Sequence, residues 1–85
     1  MPEYEVQLTG KARKQLDKLS DNIADPIIEA IDHLAENPRP RSCKKLKGRA
    51  AYRIRKGKYR VIYEIKDKQL IVIVIAVGLR KDIYR

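Results

Sequence analysis

Three arginines within eight residues have the type and spacing needed to bind phosphate. Arg53 and Arg55 stand two apart before a turn signal, and Arg60 follows that signal. Residues two apart in an extended strand lie on the same face of a sheet. The guanidinium group presents a fork of N–H donors that matches phosphate oxygens. The pattern therefore predicts a phosphate-binding surface on one face of a hairpin. The alternative is that Arg53 and Arg55 only keep an edge strand solvated.

A two-residue turn at Lys56-Gly57 is the simplest connection between the strands that carry these arginines. The pairs expected across this turn are Arg55 with Lys58, Ile54 with Tyr59, and Arg53 with Arg60. The apolar face left for packing against helices would contain Tyr52, Ile54, Tyr59, Val61, Tyr63 and Ile65. A three-residue turn would mix cations and apolar side chains on both faces, so the pattern favours the shorter turn.

Most of the remaining positive charge surrounds these arginines. The chain has 20 Lys and Arg against 11 Asp and Glu, a net charge of +9. Residues 39–60 contain eleven of the basic residues and no acid, whereas residues 1–38 contain four basic and eight acidic residues. Such concentration costs self-repulsion and is typical of proteins that bind a polyanion. A solvated basic loop is the alternative. Further contacts with nucleic-acid phosphates are predicted at Lys44, Lys45, Lys47, Arg49, Lys56 and Lys58.

Several other classes of function are disfavoured by what the chain contains. A single cysteine, Cys43, and a single histidine, His33, make a zinc site improbable, so no metal and no cofactor are expected. Cys43 is expected to be an incidental thiol, and His33 a helix surface residue. The longest apolar run, residues 70–77, is far shorter than the roughly 20 residues of a membrane helix. With no signal-peptide pattern either, a cytoplasmic protein is expected.

The elements that must position these residues follow from periodicity and caps. Alternation at Tyr4, Val6 and Leu8 predicts a first strand. Helices are predicted from about Gly10 to Leu19, with Thr9 as N-cap, and from the capping residues Asp21 and Asn22 to Asn37-Pro38, with Pro26 in its first two turns. The second helix should bury Ile23, Ile27, Ile31 and Leu34, with Ala24, Ile28 and Ala35 beside them.

A basic loop at residues 39–50 precedes three strands, predicted at Ala51–Arg55, Lys58–Lys66 and Gln69–Val77, with a second turn at Asp67-Lys68. The last strand is apolar on both faces, which indicates a central position. The expected architecture is one α+β domain, residues 1–85, in the order β-α-α-β-β-β. An αα-hairpin would pack on one face of a mainly antiparallel four-stranded sheet.

Four segments in this order resemble the RelE/ParE toxin superfamily and span nearly the whole chain. They are TGKARKQLDKL at 9–19, KKLKGR at 44–49, AYRIRKGKYRVIYEI at 51–65 and IAVGLRKDIYR at 75–85. The resemblance is closer to RelE-like ribonucleases than to ParE-like gyrase inhibitors. It implies a RelE-like fold and a metal-independent toxin that cuts messenger RNA in the ribosomal A site.

The resemblance also implies roles for individual residues. Arg53 and Arg55 match two basic residues before the family's hairpin turn, and Arg60 matches the arginine after it. Arg80 matches an arginine after the last strand, and Tyr84 the C-terminal tyrosine that orients or activates the nucleophile. The alternatives are that Arg80 binds a carboxylate of the domain and that Tyr84 anchors the C-terminus.

Two departures from the family pattern bear on the chemistry. The family's usual lysines are replaced by Arg53 and Arg55, and Leu79 stands where many relatives have histidine. Arginine remains protonated and is a poor base, so slow catalysis is expected. A gyrase inhibitor and a catalytically weak antitoxin-binding module are the alternative functions. The partners implied are an acidic antitoxin, the ribosome and its messenger RNA, and operator DNA only indirectly through the antitoxin, with no membrane.

Overall fold

The computed structural model describes residues 3–79, and this part of the chain is a two-layer α+β structure. Its elements in chain order are β1 (Glu5–Leu8), α1 (Gly10–Asp17), α2 (Asp21–His33), β2 (Lys44–Lys45), β3 (Tyr52–Lys56), β4 (Tyr59–Lys66) and β5 (Ile71–Leu79). The strands form one sheet in the order β1-β5-β4-β3-β2. The α+β class and the helix pair on one sheet face are confirmed.

The predicted cap of α1, Thr9, is confirmed, whereas the predicted caps of α2, Asp21 and Asn22, are wrong because they lie inside the helix and Ser20 precedes it as N-cap. The Thr9 hydroxyl accepts a hydrogen bond from the Ala12 amide at 3.1 Å, which satisfies one open donor of the first turn of α1. Helix α2 begins at Asp21 after Ser20, and Pro26 lies in its second turn. Both helices are shorter than predicted, since α1 ends at Asp17 and α2 at His33.

The main core lies between the helices and one face of the sheet. Helix α2 contributes Ile27, Ile31 and Leu34, and the sheet contributes Ile54, Val61, Tyr63, Val72, Val74 and Val77. The expectation that Ile23 and Ile28 are buried is wrong, because they are 40% and 41% exposed. Ile28 lies about 100° around the helix from Ile27. Ile23, in the first turn, instead lines a surface groove beside the β3–β4 turn.

The sheet has five strands in the described residues, not the four predicted. The additional strand is β2, inside the predicted basic loop, where Lys44 pairs with Arg53 and Lys45 with Tyr52. Two charged residues have no apolar alternation, so the sequence has no strand signal there. Strand β1 runs parallel to β5, which therefore has neighbours on both sides, as its apolar pattern predicted.

The β3–β4 hairpin has the predicted loop length but a different register. Its turn residues are Gly57 and Lys58, and the pairs are Arg55 with Arg60, Ile54 with Val61, and Arg53 with Ile62. Gly57 has φ +61°, whereas Lys58 is not among the positive-φ residues. A type II′ turn requires this arrangement, with glycine at its first central position. The pairings predicted for Arg55, Ile54 and Arg53 were therefore wrong by two residues. A shift of two residues keeps each side chain on its predicted face.

Candidate nucleic-acid interface

The sheet face opposite the helices carries a cluster of cations from three neighbouring strands. Arg55 lies directly opposite Arg60, and Arg53 lies two residues from Arg55 on the same side of β3. Lys44 joins them because it pairs with Arg53 across β2 and β3. These four residues are here called the arginine face. The prediction that Arg53, Arg55 and Arg60 share the face opposite the helices is confirmed.

The arginines of this face differ in their exposure to solvent. Arg60 and Arg53 are only 5% and 9% exposed, whereas Arg55 is exposed. The side chain of Arg53 makes no hydrogen bond or ion pair within residues 3–79. No buried side-chain nitrogen or oxygen there lacks a hydrogen-bond partner. The guanidinium nitrogens of Arg53 must therefore reach solvent while its aliphatic stem is covered.

Like charges lie directly opposite each other at two places on the arginine face. Arg55 faces Arg60, and Lys44 faces Arg53, each as a direct cross-strand pair. Side chains in such pairs have Cβ atoms about 4.5–5.5 Å apart, and like charges there repel. An anion bound between two such cations would be attracted to both, so attraction would replace their repulsion. The face is therefore electrostatically suited to phosphate groups.

A small apolar cluster borders these cations on the same side of the sheet. It consists of Ala51, Ile62 and Ala76, with Leu46 and Ile75 packed against it. Leu46 thereby attaches the following turn, with its exposed residues Lys47 and Arg49, to this side of the molecule. The backbone also supports this attachment, because the Leu46 amide donates to the Ala51 carbonyl at 2.8 Å.

The other predicted contact residues are distributed around the hairpin. Lys45 pairs with Tyr52, and Lys56 with Tyr59, so both project from the helix side of the sheet. Lys58 occupies the turn and is exposed, so it does not lie opposite Arg55 as predicted. Arg80 and Tyr84 lie outside the described residues.

The site includes a network that sequence reasoning missed. Arg39 donates from Nη1 and Nη2 to the two carboxylate oxygens of Asp67, at 3.1 and 2.8 Å. The Tyr4 hydroxyl donates to the same carboxylate at 2.7 Å. Arg39 Nε also donates to the Tyr52 hydroxyl at 3.4 Å, and its guanidinium carbon lies 5.3 Å from the Tyr52 ring centroid. These four residues are here called the Arg39 clamp. Arg39 and Asp67 are 28 residues apart, so no local pattern signals the pair.

A buried tyrosine, Tyr63, packs against Tyr52 of the Arg39 clamp. Tyr63 is fully buried, stacks on Tyr52 with ring centroids 6.0 Å apart, and donates its hydroxyl proton to the Pro38 carbonyl at 2.8 Å. The chain between α2 and β2 is thus tied to β3, β4 and the β4–β5 turn. Tyr63, expected only as part of the apolar face, also fixes this loop.

The titration behaviour of these groups follows from their partners. Hydrogen bonds from Arg39 and then from Tyr4 lower the pKa of Asp67 to about 2. The pKa of Arg39 is raised, chiefly by the same hydrogen bond to Asp67. Burial, and next the proximity of Cys43, raises the pKa of Tyr63. Arg39 and Asp67 are therefore both charged at neutral pH.

Other candidate chemistry is not found in the described part of the chain. His33, at the end of α2, is a surface residue as predicted and lies 3.9 Å from Glu29. Among residues 3–79, no three His, Cys, Asp or Glu side chains cluster as metal ligands would. Each helix in that range is too short or too polar to cross a bilayer.

These features define a small α+β domain with helices on one sheet face and a cluster of cations on the other. The family model described as the ParE toxin of the type II toxin–antitoxin system, parDE, matches residues 6–84. The chain belongs to the RelE/ParE superfamily of type II toxin–antitoxin toxins.

Individual relatives cover the chain almost completely. Toxin RelG of Mycobacterium tuberculosis is 36% identical, over 96% of this chain and 97% of its own. The toxin–antitoxin complex RelBE2 from the same organism contains a chain of similar structure, with a TM-score of 0.84 and 32% identity over 96% of this chain and 97% of that one. A chain of the RelE–RelB complex of Pyrococcus horikoshii has a TM-score of 0.82 and 30% identity, covering 96% and 99%.

Proposed function

We propose that this protein is a ribosome-dependent endoribonuclease that cleaves messenger RNA in the A site and so inhibits translation. The observation that supports the proposal most directly is the arginine face, where Arg53, Arg55 and Arg60 lie together on one side of the hairpin. The Arg53 side chain is largely covered, its guanidinium group reaches solvent, and it has no hydrogen-bond or ion-pair partner among residues 3–79, which favours an external anion as its partner. A backbone phosphate supplies that anion.

The reaction that fits these groups is metal-independent transesterification. The 2′-hydroxyl oxygen forms a bond to the adjacent phosphorus while the bond from phosphorus to the 5′-oxygen breaks. The products are a 2′,3′-cyclic phosphate and a 5′-hydroxyl. Arg53, Arg55 and Arg60 would stabilise the charge that develops on the phosphate oxygens. Arg80, after the last strand, would add to this stabilisation.

Proton transfer requires a group other than these arginines. A base must accept the 2′-hydroxyl proton and an acid must protonate the leaving 5′-oxygen. Arginine stays protonated and serves neither as base nor readily as acid. We assign orientation or activation of the nucleophile to Tyr84, with ribosomal RNA supplying what this chain lacks. Slow turnover is expected.

The lysines around the arginine face would contribute binding rather than chemistry. Lys44 lies in the face itself, and Lys47 and Arg49 follow on the turn attached through Leu46. Together they extend the positive surface along which an RNA backbone can run. Longer-range attraction of RNA would come from Lys58 at the hairpin tip and from Lys45 and Lys56 on the helix side of the sheet.

The partner that restrains this activity is proposed to be an acidic antitoxin. Similar toxins have been solved as RelBE and RelE–RelB complexes. A largely disordered acidic segment would fold onto the toxin, with apolar anchors supplying affinity and acids supplying orientation and fast association. It would cover the arginine face or displace the tail that carries Tyr84. Operator DNA would be bound only through this antitoxin, in the cytoplasm.

The test of the enzymatic proposal uses purified ribosomes with a defined messenger RNA in the A site, followed by mapping of RNA 5′ ends. Wild-type protein should cut within a codon. Arg60→Ala should lose on the order of 100-fold in rate, as expected for a group that stabilises transition-state charge. Lys47→Ala should mainly weaken binding and its salt dependence. Equal losses in both variants would mean that only bulk charge matters.

A second candidate is inhibition of DNA gyrase, which the resemblance to ParE-like toxins implies and which the match to the ParE toxin family model keeps open. Expression in cells distinguishes the two functions. Cleavage within translated codons supports the ribonuclease, whereas intact messenger RNA with double-strand DNA breaks supports the gyrase inhibitor. Co-expression with the neighbouring open reading frame tests the antitoxin. If that neighbour neither co-purifies nor relieves toxicity, the antitoxin proposal is wrong.

A further inference from the structure

Arg39 belongs to the basic segment by sequence, but its contacts are internal. Both of its terminal nitrogens are directed at Asp67, and its Nε is directed at Tyr52. The fixed fork of an arginine that binds a carboxylate in two places is not available to a phosphate at the same time. Residues 39–60 contain eleven Lys and Arg residues, and Arg39 is one whose charge is paired with an acid of the domain, Asp67.

The position of Arg39 in the chain gives this pair a mechanical consequence. Five residues after Arg39 the chain enters β2, which consists of Lys44 and Lys45 alone and has β3 as its one neighbour. A two-residue edge strand contributes little stability of its own. Its position depends on how the chain enters and leaves it. The exit is held by the Leu46 amide on Ala51, and the entry by the Arg39 clamp.

We propose that Arg39 and Asp67 are positioning residues that hold β2 against β3, so that Lys44 stays beside Arg53 in the arginine face. The effect on RNA rests on the proposed function. The effect on the position of β2 is independent of the proposed function. Because the pair is bidentate, shared with Tyr4 and stacked on Tyr52, it has the geometry in which a partly exposed ion pair holds a fixed position.

The proposal makes a prediction that a pure charge effect contradicts. Arg39→Gln lowers the net charge by one, and Asp67→Asn raises it by one. If Arg39 acted as a phosphate contact, the first change would weaken RNA binding and the second would strengthen it. If the pair positions Lys44, both changes weaken binding, and the double variant is no weaker than either single variant. A pure charge effect thus predicts that Asp67→Asn binds RNA more tightly than wild type, whereas loss of the position of Lys44 predicts that it binds RNA more weakly.

The experiment measures affinity for a short single-stranded RNA across a range of salt concentrations. We expect at least about a threefold loss for each clamp variant and strong non-additivity in the double variant. The salt slope should fall by about 0.7 for Lys44→Gln, and by up to the same amount for Arg39→Gln and Asp67→Asn, because each change costs the phosphate contact of Lys44. Arg41→Gln and Asp25→Asn are matched charge controls. Both residues are exposed, and neither has a polar partner within residues 3–79. Tighter binding by Asp67→Asn than by wild type would overturn the proposal.

Amide hydrogen exchange tests the clamp without RNA. The Cys43 amide donates to Pro40 at 2.9 Å and the Leu46 amide donates to Ala51 at 2.8 Å, so both report on the segment around β2. In Arg39→Gln and Asp67→Asn these two amides should exchange faster, while amides of β4 and β5 keep wild-type protection. Wild-type protection at both amides in both variants would overturn the clamp. Failure of the wild-type protein to bind RNA, with the exchange result as expected, would instead refute the proposed function alone.

Discussion

Replacing Arg53 by methionine should make the protein more stable and less active. The arginine stem is covered, and its charged end has no partner among residues 3–79. Methionine has similar length, is apolar and adapts its shape to the available space. The substitution keeps the packing of the stem and removes the charge. It also removes repulsion with Lys44, which lies directly opposite, and with Arg55 on the same strand.

The magnitude follows from the spacing of side chains on a sheet. The charged ends of long side chains in a direct cross-strand pair can lie farther apart than their Cβ atoms, and two unit charges about 7 Å apart repel by about 0.6 kcal/mol in bulk water. At an effective dielectric constant of about 20 they repel by about 2.4 kcal/mol. Since Arg53 is 9% exposed and its neighbour Lys44 is solvated, a value between these limits applies. We expect a gain of about 1 kcal/mol, which raises Tm by about 4–8 °C in a domain of this size.

The assay is thermal unfolding at low and high salt, with RNA cleavage measured on the same preparations. The Tm difference between Arg53→Met and wild type should shrink at high salt, because salt screens the repulsion in the wild-type protein. Cleavage should fall by on the order of 100-fold. Lys47→Met, at an exposed turn position, is the control and should change stability by less than about 0.5 kcal/mol. If Arg53→Met lowers Tm, internal contacts hold this arginine in place and the argument for an external anion is wrong.

Three further predictions concern the fold around the site. Gly57→Ala should destabilise the protein by about 1–2 kcal/mol in urea unfolding, because φ is +61° there, and an unchanged midpoint would contradict the type II′ turn. Tyr63→Phe should cost about 1–2 kcal/mol, because it leaves a backbone carbonyl without its donor, and a neutral result would show that water replaces the hydroxyl. The pKa of Asp67 is lowered to about 2 from about 3.9 in an unfolded chain, so its stabilising effect is complete above about pH 4 and lost as the pH falls through about 2. The difference in Tm between wild type and Asp67→Asn should therefore be constant from pH 5 to 8 and close below pH 4, and a difference that varies near neutrality would refute this assignment.

Features that depend on near neighbours could be predicted from the sequence. Alternation in β3 and β4 placed Arg53, Arg55 and Arg60 on one face, because side chains in a strand alternate whatever the pairing. Thr9 was identified as a cap because it precedes a helical apolar pattern. Anion binding, which the acid-free run at residues 39–60 indicates, stays a prediction. The resemblance to RelE/ParE toxins was confirmed by comparison with known proteins.

Features that depend on distant residues were decided by the tertiary structure. The register of the hairpin was set by where the positive φ of Gly57 falls in its turn, and that choice is not visible in alternation. Strand β2 follows a segment in which Arg39 pairs with Asp67, 28 residues away, and no local pattern predicts either that pair or the pairing of β2 with β3. The low exposure of Arg53 and Arg60, on the face opposite the helices, is likewise not visible in the alternation. Alternation along a strand determines the sheet face on which each side chain lies. Only the folded chain determines whether a cation lies beside an acid, as Arg39 lies beside Asp67, or is available to bind a ligand.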